Sequence, residues 1–354
     1  MTTNTQFRGI ADITGGRGFV RVAGYTRSPD DIQLPGSQIR GYALRKGDEI
    51  EGVITGERSV RIDTVNGLPS DESAERPRFD DLIPVYPDER LRLTDGSDSP
   101  AAQIIDLVAP VGKGQRGLIV APPKAGKTMI LQAIASAIEA SHPEMHLMLV
   151  LVGERPEEVT DLRRAVRGEV AYSTFDQTPE DHIRVAELAI ERAKRLVETG
   201  RDVVVLLDSL TRLGRAYNLI APASSRTLTG GVAASAIQPP RRFLGAARNI
   251  EGGGSLTMFS TALVDTGSKL DGYLFEEFKG TGNMELRLLR DLAEKRIFPA
   301  IDARASGTRR DDLLMNAAEH AAVTKIRRAM AGLDPQQALE MLLGKTTSVR
   351  QRAA

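Results

Sequence analysis

Residues 121–128 (APPKAGKT) constrain this chain more than any other stretch. They follow the apolar run 117–120 and precede residues 129–135, which have the composition of a helix. A strand, a tight turn and a helix start together predict a phosphate-binding loop, because the N–H groups of the turn and of the helix N-terminus point toward an anion. The segment fits G-x-x-x-x-G-K-[ST], except that Ala121 replaces the first glycine. It predicts a nucleoside triphosphate site; a chance loop before an ordinary helix is the alternative.

In such a loop Lys127 reaches the terminal phosphates and the Thr128 hydroxyl can ligate Mg²⁺. Asp208 ends the apolar run 202–207 and would hold Mg²⁺ through water, with a helix N-cap as the alternative. Glu154 follows the run 146–152, at the sheet edge where open α/β sheets bind ligands. We expect Glu154 to deprotonate the attacking water, with an ion pair to Arg155 as the alternative.

Composition excludes several classes of protein. No run of about 18 apolar residues and no signal-peptide pattern is present in the 354 residues, so we expect a cytoplasmic protein without a membrane partner. Cysteine is absent, which excludes disulfides and thiolate metal sites. The formal charge is zero and aromatic residues make up only 4%, so any nucleic-acid site must be local.

The N-terminal part differs in pattern from the rest of the chain. Residues 1–6 form a polar tail that we expect to be disordered. Residues 7–68 contain short β-like runs at 17–22, 31–34, 49–54 and 60–65, separated by turn signals, and predict a small barrel of the oligonucleotide-binding (OB) kind. Phe19, between Arg17 and Arg21, is either a base-stacking platform with phosphate partners or a core residue flanked by solvated arginines.

Residues 69–100 are rich in Pro, Asp, Ser and Arg and predict a linker with one extended piece at 82–86. From residue 101 to 354, strands and helices alternate, which is the pattern of a parallel α/β sheet. Helices are predicted at 157–167, 179–199, 209–220, 273–278, 311–330 and 335–343. Residues 221–240 and 264–269 are predicted to be flexible loops.

Five segments together resemble the bacterial transcription termination factor Rho family. They are residues 114–128 (GQRGLIVAPPKAGKT), 154–160 (ERPEEVT), 228–232 (LTGGV), 265–269 (DTGSK) and 276–286 (EEFKGTGNMEL). The similarity is nearly continuous from about residue 105 onward and looser back to Phe7. A phosphate-binding loop alone is shared with rotary ATPase subunits and RecA-type recombinases, whereas the combined set is specific to this family.

This resemblance implies an α/β fold in which a RecA-like P-loop ATPase domain follows a small all-β, cold-shock-like OB-fold RNA-binding domain. It implies a ring homohexamer that binds ATP and Mg²⁺ between subunits and moves 5′→3′ along single-stranded RNA. Such a ring dislodges transcripts, so RNA polymerase and transcription elongation factors are the implied protein partners.

The resemblance also implies roles for individual residues. Glu154 would be the catalytic base, and Arg309, which spacing alone leaves as a solvated charge, would be an arginine finger acting on a neighbouring subunit. Met129 and Phe298 would sandwich adenine, while Arg155 and Arg212 would link the nucleotide to subunit closure. The remaining implied nucleotide contacts are Lys124, Ala125, Gly126, Lys127, Thr128 and Asp208. The implied RNA contacts are Phe19 and Arg21 in the barrel and Thr229, Gly230, Gly231, Val232 and Lys269 in two pore loops.

The chain departs from the family pattern in places. Arg17, Gln33 and Ser59 stand where aromatic rings are expected, and Gly153 replaces the usual acidic residue before the catalytic glutamate. The helical segment that usually precedes the barrel has no counterpart. Each missing ring would cost about 1–3 kcal/mol of RNA stacking. The alternatives to an RNA-dependent ATPase and helicase are therefore a specialised paralogue with weak RNA loading and a non-catalytic regulatory subunit of Rho rings.

Overall fold

A computed structural model describes residues 5–55 and 59–353. The N-terminal elements are β1 (Thr5–Thr14), β2 (Arg17–Arg21), β3 (Ile32–Leu34), α1 (Gly36–Gly41), β4 (Glu49–Thr55), β5 (Ser59–Val65) and β6 (Leu68–Pro69). The strands form an antiparallel sheet in the order β3-β2-β1-β4-β5-β6, and the first five have the arrangement of an OB-fold. We call residues 5–69 the barrel.

Strand β1 lies at the centre of this sheet but was not among the four predicted runs. It pairs with β2 on one side and β4 on the other, and its buried Phe7 and Ala11 join the barrel core. Because β1 begins at Thr5, residues 5 and 6 belong to the sheet, and the predicted disordered tail is wrong there. Residues 1–4 of that tail lie outside the described residues.

The segment 69–100 is packed against the rest of the chain, whereas the sequence predicted a linker. It contains β7 (Pro84–Val85) and β8 (Arg90–Leu91), and β7 pairs with a strand of the second sheet. Phe79, Leu91 and Leu93 are fully buried. The few apolar residues of this segment, which lie among prolines and aspartates, therefore hold it against the rest of the chain.

The larger sheet has a core of parallel strands, antiparallel strands at its margins and helices on both faces. Its chain contains α2 (Pro100–Val108), β9 (Val111–Gly112), β10 (Arg116–Ala121), α3 (Lys127–Ser141), β11 (His146–Glu154), α4 (Pro156–Ala165), β12 (Glu169–Thr174), α5 (Pro179–Glu198), β13 (Asp202–Asp208), α6 (Leu210–Leu219), β14 (Thr227–Leu228), β15 (Val232–Ala233), α7 (Gln238–Gly245), β16 (Arg248–Ile250), β17 (Ser255–Leu263), α8 (Lys269–Lys279), β18 (Met284–Arg287), α9 (Arg290–Glu294), β19 (Gly307–Thr308), α10 (Ala317–Met330) and α11 (Pro335–Ala353). The strand order is β12-β11-β13-β17-β10-β18-β19, with β16 and β7 beside β17. Strand β10, which leads into the phosphate loop, is thus interior.

Two predicted loops contain helices. Helix α7 begins at Gln238, near the end of the predicted loop 221–240, and continues to Gly245. Pro239 and Pro240 occupy its first turn, where proline is tolerated. Helix α8 begins at Lys269 rather than at residue 273, because the Ser268 side chain caps it by accepting from the Asp271 N–H at 3.4 Å. None of the described helices is long and apolar enough to cross a membrane.

The barrel is joined to the large sheet by a buried ionic cluster around Glu198, the last residue of α5. The Glu198 carboxylate lies 3.0 Å from Arg45 of the barrel and 3.0 Å from Arg195, and it accepts the Phe79 N–H at 2.8 Å. Arg76 lies 3.8 Å away and also pairs with the buried Asp48. We call Arg45, Arg76, Arg195 and Glu198 the junction cluster.

We expect Glu198→Ala to destabilise the chain by about 3–5 kcal/mol, because it leaves buried guanidinium groups without their shared carboxylate. Urea unfolding measures this change. Glu144→Ala is the matched control, since Glu144 is exposed and its contact with His142 spans 3.7 Å. Equal unfolding midpoints for the two variants would mean that the junction cluster contributes nothing to stability.

Candidate functional site

The phosphate-binding loop connects β10 to α3 and ends in a left-handed turn. Gly126, the residue before α3, has φ +89°, and Lys124 has φ +65°. Only glycine adopts the first value without strain. The loop therefore places the N-terminus of α3 and its unpaired backbone N–H groups at the carboxyl edge of the sheet, where they can face an anion.

Three of the predicted site residues meet at this edge. The Lys127 ammonium lies 2.9 Å from Oε1 of Glu154 and 2.6 Å from Oδ1 of Asp208. Both carboxylates are buried, with Glu154 2% and Asp208 1% exposed. Thr261 of β17 donates its hydroxyl to the same Asp208 oxygen at 2.7 Å. Sequence reasoning missed Thr261. Its strand, β17, lies beside β13 because of the order of strands in the sheet, and the spacing of residues along the chain does not predict that order.

Burial and mutual contact shift the ionisation of these groups. Burial disfavours the Lys127 ammonium, but the Asp208 and Glu154 carboxylates outweigh it and raise the pKa of Lys127. Burial, followed by the charge of Asp208, raises the pKa of Glu154, and Lys127 and Arg212 only partly oppose this. Glu154 is therefore a stronger base than an exposed glutamate.

The two arginines assigned to the nucleotide occupy different environments. The Arg212 Nε lies 3.2 Å from Glu154 Oε1 but is not aligned for a hydrogen bond, so the contact is an ion pair. Arg155 is exposed and forms a surface ion pair at 2.8 Å. Its partner is Glu158, whereas the alternative interpretation of Glu154 paired Arg155 with Glu154. The structure thus places Arg212, but not Arg155, against the carboxylate pair.

Gly153 has a structural reason to be glycine. Its φ is +67°, at an irregularity in the pairing of β11 with β12. A Cβ there would approach Arg212 to 3.3 Å and the His182 ring to 3.6 Å. His182 also contacts Ser173 at 2.9 Å, and burial lowers the pKa of its imidazole. Sequence reasoning missed His182, whose position beside the site follows from the packing of α5.

An apolar cavity of about 220 Å³ adjoins the loop. Met129 and Phe298 both line it, together with Gly126 and Ala133. Met129 is 52% exposed, and a Cβ on Gly126 would lie 3.4 Å from the Phe298 ring. The two predicted adenine contacts therefore lie in one cavity, next to the phosphate loop.

Arg309 lies at the opposite edge of the sheet. Its N–H donates to the Asn283 carbonyl at 2.8 Å, and the Asn283 N–H donates to the carbonyl of Arg116, the first residue of β10, at 3.0 Å. The phosphate loop follows the last residue of that strand, so roughly 17 Å separates the two ends. The exposed Arg309 side chain cannot reach the phosphate loop of its own chain.

The barrel presents Phe19 but not Arg21. Phe19 is 37% exposed, and the Arg21 guanidinium lies 5.4 Å from its ring centroid. Arg21 is buried between Asp12 and Asp31, which already neutralise its charge, so this position does not favour its predicted contact with RNA phosphates. Its position instead supports the Phe19 ring, and the exposed cation beside Phe19 is Arg17.

The two predicted pore loops lie side by side. Thr229 and Gly231 are exposed at the tip of the β14–β15 hairpin. Val232 is fully buried, a position that does not favour its predicted RNA contact. A Cβ on Gly230 would lie 2.9 Å from the carbonyl of Lys269. The hairpin tip therefore contacts the start of α8, where the Lys269 side chain is exposed.

Comparison with known proteins agrees with this geometry. Residues 101–308 match the ATP synthase alpha/beta family, nucleotide-binding domain, and residues 7–71 match the Rho termination factor, RNA-binding domain. A solved ATPase from the type III secretion system of pathogenic bacteria superposes with a TM-score of 0.63 at 25% identity, covering 71% of each chain. The solved structure of the ATPase EscN from enteropathogenic E. coli superposes with a TM-score of 0.61 at 24% identity, covering 74% of this chain and 61% of its own. Fold and site thus define a RecA-like P-loop ATPase domain joined to an RNA-binding domain.

Proteins that are similar over nearly the full chain identify the family more specifically than the two domain matches do. The transcription termination factor Rho of Streptosporangium roseum is 56% identical, covering 98% of this chain and 90% of its own length. That of Streptomyces lividans is 58% identical over 98% of this chain. The chain belongs to the transcription termination factor Rho family. It spans 50% and 52% of the length of the Streptomyces lividans and Micrococcus luteus proteins.

Proposed function

We propose that the chain is an RNA-dependent ATPase that works as a ring hexamer, moves 5′→3′ on single-stranded RNA and terminates transcription. The observation that carries this proposal is the placement of Lys127 between Glu154 and Asp208 at the carboxyl edge of the sheet. RNA polymerase and elongation factors are the protein partners that this function requires. Family membership and the RNA-binding domain at residues 7–71 support the RNA requirement.

The residues at the loop fit a nucleotide with a magnesium ion. A lysine held by two buried carboxylates is a cation ready to exchange one partner for phosphate oxygens. The described residues contain no cluster of three or more His, Cys, Asp or Glu side chains suited to a metal, so protein groups alone would not hold the ion. Thr128 and Asp208 would hold Mg²⁺ together with phosphate and water oxygens, the usual arrangement for this ion. Bound there, Mg²⁺ would neutralise phosphate charge.

Glu154 would act as the base once Lys127 turns to the phosphates. The Glu154 carboxylate accepts a hydrogen bond from Lys127, and the approach of phosphate oxygens would release it. Its raised pKa then favours uptake of a proton from the attacking water. Arg212, 3.2 Å away, would keep the freed carboxylate in place.

Arg309 would complete the site of a neighbouring chain. Its position at the far edge of the sheet rules out its own phosphate loop, whereas a head-to-tail ring brings the far edge of one subunit to the loop of the next. A guanidinium delivered in this way stabilises charge on the transferred phosphoryl group. The exposed side chain has the freedom that this role needs.

Steady-state ATP hydrolysis with and without poly(C) RNA tests the proposed function. Turnover should rise on addition of RNA and saturate with its concentration. Saturation only at high RNA would place the chain among weakly loading members of the family. Absence of hydrolysis at every RNA concentration would overturn the motor function.

Mixed rings test the role of Arg309. Arg309→Ala chains and Lys127→Ala chains should each be inactive alone and should regain RNA-stimulated turnover when combined, because some interfaces then join an intact loop to an intact arginine. Native mass spectrometry verifies that the rings are mixed. Rings that are mixed but inactive would show that Arg309 does not act on a neighbouring chain.

A further inference from the structure

Two cavities meet between the barrel and the large sheet. One, of about 340 Å³, includes Phe19 and Arg17 of the barrel. The other, of about 840 Å³, extends over α5, α6 and α7. Lys46 and Glu187 line both cavities, so the two cavities are neighbours on one surface, and Phe19 lines the smaller one. We call the two cavities together the junction groove.

The larger cavity reaches the elements that flank the first pore loop in the chain. Gln238 and Pro239 line its far part, and α7, which they begin, follows the β14–β15 hairpin in the chain. Tyr217 also lines it, and the adjacent Asn218 accepts the Ala233 N–H of the hairpin at 2.7 Å. The junction groove thus extends, within one chain, from the exposed ring of the barrel to the helices on either side of the hairpin.

Cations outnumber anions along the larger cavity. Five basic side chains line it against three acidic ones, Asp80, Glu187 and Glu191. The basic residues are Lys46, Lys194, Arg241, Arg242 and Arg248.

Most of these cations already have a partner on the protein. Lys46 lies 3.4 Å from Glu187, Lys194 lies 2.6 Å from Glu191, and Arg241 lies 3.1 Å from Glu277. The Arg248 guanidinium stacks over the Phe79 ring at 4.6 Å.

Arg242 is the exception. Its side chain is exposed on the last turn of α7 and forms no ion pair with any residue in the ranges 5–55 and 59–353. An uncompensated guanidinium in a polar groove suits phosphate, because its planar fork matches phosphate oxygens. Tyr217, half-buried nearby with its hydroxyl bonded to Glu187 at 2.8 Å, adds an aromatic side chain of the type on which bases stack.

We propose that the junction groove is a third single-stranded RNA site, which carries the RNA backbone from Phe19 to the β14–β15 hairpin, with Arg242 as its main phosphate contact. This inference rests on the proposed function, because it takes RNA as the ligand of both ends. The lysines of the groove are held by ion pairs with Glu187 and Glu191 and can exchange these carboxylates for phosphates. The site contacts the RNA backbone and not the base edges, so we expect it to show no base preference.

The test compares RNAs of two lengths on the full chain. Arg242→Ala should weaken poly(C) binding roughly fivefold, the effect of about 1 kcal/mol for one phosphate contact. A short oligocytidylate of about 8 nucleotides occupies only the barrel, so its affinity should not change. The slope of log affinity against log salt for poly(C) should fall in magnitude by about 0.7 per lost contact. Arg242→Lys should keep most of the affinity, because it retains the charge.

Arg201→Ala is the matched control, since Arg201 is an exposed arginine just beyond α5 and does not line the groove. Poly(C) affinity in Arg242→Ala equal to that control would overturn the inference while leaving the proposed function intact. An equal loss with the short oligonucleotide would place the defect in the barrel, and loss of the hexamer by native mass spectrometry would make Arg242 a subunit contact; either result overturns the RNA site. Failure of the proposed function is distinct, because the unaltered chain would then show no RNA-stimulated turnover.

Discussion

Lys127→Ala should lower the rate of ATP hydrolysis by about 100- to 1,000-fold, the usual effect of removing one preorganised charge from a reacting centre. Lys127 is the one group within bonding distance of both Glu154 and Asp208 in the described site, so its loss removes the phosphate contact. It also leaves two buried carboxylates whose remaining ion pair is the one between Glu154 and Arg212. We expect lower stability as well, measured by urea unfolding alongside steady-state turnover.

Lys325→Ala is the control for this variant, because Lys325 is exposed on α10, far along the chain from the loop. Its turnover and unfolding midpoint should equal those of the unaltered chain. Hydrolysis at the unaltered rate in a folded Lys127→Ala chain would reject residues 121–128 as the phosphate site. Loss of hydrolysis together with loss of folding would be resolved by Lys127→Arg, which keeps the charge between the carboxylates.

Glu154→Gln should lower kcat by about 100- to 10,000-fold while nucleotide binding persists, because the amide keeps the size of the side chain but cannot accept the proton of water. Rapid-mixing measurement of kcat, with a fluorescent nucleotide to report binding, separates the two effects. Glu158→Gln is the control, since Glu158 is also near the end of β11 but pairs with the exposed Arg155. A variant that hydrolyses ATP normally would remove Glu154 from the mechanism.

The pH profile gives an independent check on Glu154. Only the ionised carboxylate can act as base, so activity falls as pH drops through its pKa. Burial and Asp208 raise that pKa above the ordinary 4.5, so the acid limb of kcat should lie at higher pH than for an exposed glutamate. This limb should disappear in the residual activity of Glu154→Gln. An unchanged limb would assign it to another group.

The carboxylates and the phosphate loop could be predicted because their signals are local. A lysine that follows a glycine turn can be placed at the phosphates from the order of the chain alone. Acidic residues at the ends of apolar runs can be placed at the carboxyl edge of the sheet, because parallel strands all end there. Strand β1, α7 and the packed segment 69–100 could not be predicted. Their apolar residues are few and non-periodic, and they are ordered by contacts with distant parts of the chain.

The same distinction applies to individual residues. Only the packed structure shows that Arg21 pairs with two carboxylates and that Val232 lies in the core. His182 and Thr261 reach the site through packing and sheet order, which a single sequence does not record. The opposite position of Arg309 likewise follows from the antiparallel pairing of β19 with β18.

Helix α5 connects the junction cluster to the carboxyl edge of the large sheet. The helix is unbroken from its capping box at Thr178 and Asp181 to Glu198, a length of about 30 Å. One end places His182 beside Gly153 and the catalytic edge, and the other is fastened to the barrel through Arg45. A continuous helix of this length would keep the barrel at a fixed distance from the carboxyl edge of the sheet. In the ring proposed above, the displacement that moves RNA would then arise at the boundaries between chains.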